Sequence, residues 1–88
     1  MRETYIDEHV YKHGLTDEDI VHAWEHRLRT QFRDAPHEGE LLVIGYDRKG
    51  RCIELIAAEH ENRTDIYHAI RPPTTSVLEE MGLTRRKR

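Results

Sequence analysis

One cysteine, one phenylalanine and one tryptophan in 88 residues leave this chain few means of stapling or enlarging a small core. A lone Cys52 excludes an intrachain disulfide and any metal site built on paired cysteines. There is no run of 18 apolar residues, so no segment reads as a membrane-spanning helix. The first ten residues hold Arg2, Glu3, Asp7 and Glu8 where a secretory signal would be apolar, which leads us to expect a cytoplasmic protein. Neither a Gly-x-Ser-x-Gly elbow nor a Gly-rich phosphate loop occurs, and this argues against serine-hydrolase chemistry and against ATP or NAD chemistry. A chain of this length buries only about 60–65% of its unfolded surface, enough for one small domain. We place that domain at residues 1–82 and a basic tail at residues 83–88.

Positive charge is scarce outside that tail. The net charge is −3, but Arg85, Arg86, Lys87 and Arg88 hold four of the 14 basic residues; the ten that remain face 17 acidic ones, a body charge of about −7. Proteins that bind nucleic acid along a groove gain affinity by releasing counterions with clustered Lys and Arg. The body lacks such a cluster, and the tail is the one dense run that can contact phosphate.

The pattern of what is present gives helices first and strands afterwards. Tyr5, Ile6, His9, Val10 and His13 recur at helical spacing, so residues 3–12 are expected to form a first helix stopped by Gly14. Thr16 and Asp19 are spaced as a capping box opening a second helix over residues 17–28, with Ile20, Val21, Trp24 and Leu28 on its buried stripe. After the breakers of residues 34–39, three strands follow as a meander: Glu40–Tyr46, residues 51–59 and residues 64–71. Gly50 closes the first turn, and Pro72-Pro73 ends the last strand. Ile53, Leu55 and Ala57 share one face and should meet the helices, which leaves Glu54 on an open face. Thr74 or Thr75 caps a last helix carrying Val77, Leu78 and Met81. The expected fold is α+β: a three-stranded antiparallel sheet with helices packed on one face, in the order α-α-β-β-β-α.

Seven histidines invite a metal reading, and His9 with His13 and His22 with His26 are four apart, as helical ligands would be. No Glu follows either first His, and no further ligand type accompanies the pairs. No metal or other cofactor is expected.

Four short motifs run in a fixed order: Lys12-His13-Gly14, then Thr16-Asp17-Glu18-Asp19-Ile20, then Val43-Ile44-Gly45 with Gly50-Arg51, then Ile66-Tyr67-His68-Ala69-Ile70-Arg71. In this order and spacing, over roughly residues 5–80, the chain resembles the BrnT-like toxins of type II toxin–antitoxin systems, within the RelE-like superfamily. The resemblance implies a small sheet with an exposed RNA-docking face, RNA cleavage without a metal, and neutralisation by a cognate antitoxin of ribbon-helix-helix type. It carries over at Lys12, His13, Gly14, Arg51, His68 and Arg71. Ile70 departs from it, standing where many relatives have Arg.

Cleaving a phosphodiester without a metal requires a base for the ribose 2′-hydroxyl, a cation for the developing charge and an acid for the leaving oxygen. The candidate catalytic residues are Arg71, His68, Arg51, Lys12 and Glu54. The candidate RNA contacts are Tyr67, His13, Arg85, Arg86, Lys87 and Arg88, with Tyr67 expected on the same strand face as Arg71. Plainer roles stand beside these: Lys12 and His13 suit a helix C-terminus, Tyr67 suits sheet packing, and His68 between Ile66 and Ile70 suits a hydrogen-bonded core histidine. A catalytically silent interaction module that binds a protein partner is the other reading of the same fold.

Overall fold

The computed structural model describes residues 3–83. Its core is a five-stranded mixed sheet in the order β1-β5-β4-β3-β2, formed by β1 (Glu3–Ile6), β2 (Arg27–Phe32), β3 (Glu40–Tyr46), β4 (Cys52–Glu59) and β5 (Arg63–Ile70). A 3-10 helix (Glu8–His13), α1 (Asp17–Glu25) and α2 (Thr75–Glu80) complete it. The expected three-stranded antiparallel sheet is therefore corrected to five strands, one pair of which is parallel. The meander β3-β4-β5 is present, and β1 and β2 on either side of it occupy residues expected to form helix or loop.

Residues 3–12 are two elements. Glu3–Ile6 adds to the sheet edge parallel to β5, with Ile6 against Ile66, and only then does the chain coil into the 3-10 helix. Gly14 ends that helix at φ 80°, the left-handed conformation expected of it. The capping box at Thr16 and Asp19 forms as expected. α1 stops at Glu25, however, and Leu28 belongs to the edge strand β2, antiparallel to β3. Of the expected stripe Ile20 is buried, Trp24 is half-buried, and Val21 and Leu28 are exposed; Ala23 completes the packed face.

Two apolar clusters show that helices cover both sides of the sheet, which corrects the one-sided layer. Val10, Leu15, Ile20 and Ala23 pack on Leu41, Val43, Ile53, Leu55, Ala57, Ile66 and Ala69. Val77 of α2 and Met81 at its C-cap pack on Leu42 and Ile44 from the other side, together with Cys52, Ile56, Leu78 and Leu83. The strict alternation of β3, with odd positions toward α1 and even positions toward α2, makes this two-sided burial possible. Gly45 is needed on the α1 side: a Cβ there would lie 2.0 Å from the carbonyl oxygen of Ala23. No helix among the described residues is long and apolar enough to cross a membrane.

Candidate catalytic cleft

Glu54 lies on the α2 side of β4, and contrary to expectation that side is not open there. α2 and its leading turn cover it, leaving the residue 1% exposed. A buried carboxylate must be matched by donors, and three surround this one. Oε1 accepts from the Thr74 backbone N–H at 2.8 Å and the Thr74 hydroxyl at 2.7 Å; Oε2 lies 2.6 Å from Nε2 of His68. An ionised Glu54 can only accept, so Nε2 carries the proton and Nδ1 is the ring nitrogen left for a substrate.

His68 reaches this side through an irregularity in β5. Ile56 pairs with His68 while Ala57 pairs with Ile66, so Tyr67 is an extra residue in the ladder. Such a bulge interrupts the alternation of side chains. Tyr67 and His68, though consecutive, line one cleft with Ile56 of β4 and Glu40 of β3. The 3-10 helix supplies His9 and Lys12 as a wall, and the β2–β3 connection supplies Arg33 and His37. The cleft encloses about 480 Å³. His13 stands edge-on to His68, their ring centroids 5.9 Å apart.

A polar network fixes the cleft's far end. Arg33 binds Glu40 at 2.7 Å and grips both Glu80 oxygens of α2 at 3.0 Å. Burial pushes the Tyr67 hydroxyl up to about 12, and its hydrogen bond to Glu40 pushes the same way. Burial opposes ionisation of Glu40 too, but the Tyr67 hydroxyl and the Arg33 guanidinium outweigh it and hold that carboxyl below its ordinary value. Near neutrality Tyr67 is therefore a neutral donor beside an ionised Glu40, suited to hydrogen bonding or stacking and unsuited to act as a base.

The structure brings together Glu54, His68, Lys12, His13 and Tyr67, and it separates Arg71 and Arg51 from them. Arg71 contacts Asp47 at 3.0 Å and Asp19 of α1 at 4.0 Å, which puts it toward the α1 side of the sheet rim. Arg51 meets the same Asp47 at 2.8 Å. Tyr67 and Arg71 do not share a face, because the bulge turns Tyr67 to the other side. Arg85, Arg86, Lys87 and Arg88 lie outside the described residues. Thr74, Arg33, Glu40, His37 and His9 belong to the site without having been picked out for it. Thr74 was legible only as a helix cap, and the others sit in segments whose sequence carries no sign that the fold draws them together.

The histidine pair of α1 is occupied structurally. His22 Nδ1 lies 2.6 Å from the Tyr46 carbonyl, His26 Nδ1 lies 2.9 Å from the His22 carbonyl, and the rings stack at 4.0 Å. Among the described residues no group of three or more His, Cys, Asp or Glu side chains is arranged to hold a metal. Compared with protein-family models, curated proteins and solved structures, the chain matches none at a significant level.

Proposed function

We propose that this chain is a metal-independent endoribonuclease, acting in the cytoplasm as the toxin of a type II toxin–antitoxin pair and related to the BrnT-like toxins that its motifs resemble. The observation that carries the reading is the buried Glu54 bonded at 2.6 Å to His68, which lines a cleft together with Lys12. In this reading His68 exchanges the 2′-hydroxyl proton through Nδ1, while Glu54 orients the ring and stabilises its charged form. Lys12 supplies positive charge for the phosphorane, and His13, its ring centroid 5.9 Å from that of His68, protonates the leaving oxygen. Tyr67 offers a face for one base. Arg51 and Arg71 serve the sheet rim.

A second reading, the silent interaction module, draws on different observations. Both arginines expected as phosphate clamps are committed to Asp47, and Phe32 is 66% exposed on the edge strand β2 beside a mixed groove that includes Trp24, Leu41, Arg27 and Glu59. Induced expression in a bacterial host separates the two. A toxin should arrest growth, with relief by His68→Ala and by co-expression of a neighbouring ribbon-helix-helix protein. Normal growth with abundant wild-type protein would favour the interaction module.

A further inference from the structure

Thr74 is not among the residues that line the cleft, yet it supplies two of the three donors to Glu54. Its hydroxyl has one proton, which goes to Glu54 Oε1 at 2.7 Å, and its lone pairs accept the Val77 backbone N–H at 3.4 Å as the N-cap of α2. The backbone N–H of the same residue adds the 2.8 Å bond. Glu54 is thus held at one oxygen by the start of α2 and bonded at the other to His68. α2 is only six residues long and is fixed by Val77, Met81 and the Arg33–Glu80 pair.

We infer that Thr74 is the positioning residue of the Glu54–His68 pair: its hydroxyl fixes the carboxylate rotamer that presents Oε2 to His68, so the pair is set only while α2 is docked. This rests on the reading of Glu54 and His68 as the reacting pair, and it concerns a contact that can be observed without RNA. A valine at this position keeps the branched shape and the backbone donor but loses the hydroxyl. One of the two donors to Glu54 Oε1 then disappears, and the carboxylate is held less firmly against His68. Serine restores the hydroxyl.

Proton NMR on the whole chain tests this. The wild type should show a slowly exchanging, downfield His68 Nε2 proton, kept in Thr74→Ser and lost in Thr74→Val. If Thr74→Val does not fold, hydroxyl exchange in the wild type decides: the Thr74 hydroxyl proton should resist exchange, and exchange at the solvent rate would overturn the assignment. Where the wild type cleaves RNA, Thr74→Val should lower kcat roughly 10- to 100-fold, the usual loss when a supporting partner is removed, with little change in KM and recovery in Thr74→Ser. An intact Nε2 signal in a folded Thr74→Val, or an unchanged kcat, would overturn the inference. The expected NMR pattern in a protein that leaves RNA intact would overturn the ribonuclease reading alone.

Discussion

Asp47 shows how one turn residue can claim two arginines. Its side chain is 1% exposed and accepts from the backbone N–H groups of Lys49 and Arg51, each at 2.9 Å, and from the Arg51 and Arg71 guanidinium groups. Burial disfavours its charge, but the Arg51 and Lys49 donors prevail and bring its pKa from 3.8 to about 2. A lowered carboxylate pKa stabilises the fold above the unfolded value, and that contribution is lost as pH falls through the folded one. Asp47→Asn should therefore melt several degrees lower than wild type at pH 7, with the gap closing between about pH 4 and pH 2; thermal melts across that range check this, and equal melting points at pH 7 would count against it. The sequence offered Arg51 and Arg71 as phosphate clamps because strand-end arginines suit that role, and nothing local marked Asp47 as their partner. His68 was legible as a candidate. The Tyr67–His68 bulge that aims both side chains into one cleft was not, since it depends on how β5 pairs with β4 and not on the composition of β5.

At the scale of elements, pattern reading succeeded where local rules decide the structure. Gly14 stops a helix, Thr16 opens one, Gly50 closes the β3–β4 turn, and the alternation of β4 aims Ile53, Leu55 and Ala57 at α1. Gly45 is a different case, marked in the sequence only as part of a motif and required because α1 lies directly on its backbone. Gly45→Ala should cost about 3 kcal/mol or more through overpacking against the Ala23 carbonyl, measurable by denaturant unfolding, and a loss below about 1 kcal/mol would show that α1 shifts freely. Reading failed where distant pairing decides. Four residues, Glu3–Ile6, fit a helical stripe as well as a strand, and only the parallel partner β5 resolves them. In the same way Leu28 extends the helical spacing of Ile20 and Trp24, yet the exposed strand β2 takes it. The expectation of helices on one face followed from seeing a single apolar set in β4, whereas the even positions Leu42 and Ile44 of β3 bury α2 on the other face.

The whole molecule sets the candidate cleft on one side of the sheet and the acidic start of α1 on the other. α1 opens with Asp17, Glu18 and Asp19 on one face, while the cleft on the opposite face gathers Lys12, Arg33 and the histidines His9, His37 and His68. A body charge near −7 thus coexists with a cleft of mixed charge, in which Arg33 is paired with Glu40 and Glu80 and His68 with Glu54, a local arrangement that composition alone could not reveal. The central claim is that Glu54 and His68 form the reacting pair. The most direct measurement follows the cleavage of a labelled single-stranded RNA by purified protein in EDTA, comparing wild type with His68→Ala, Glu54→Gln and Arg71→Ala, each first shown to be folded. The account predicts cleavage that survives the chelator, falls by at least about 100-fold in His68→Ala, as loss of a general acid–base group requires, falls also in Glu54→Gln, which loses the charge that supports the imidazolium, and stays near the wild-type rate in Arg71→Ala. Full cleavage by folded His68→Ala, with loss confined to Arg71→Ala, would contradict it and move the chemistry to the Asp47 rim.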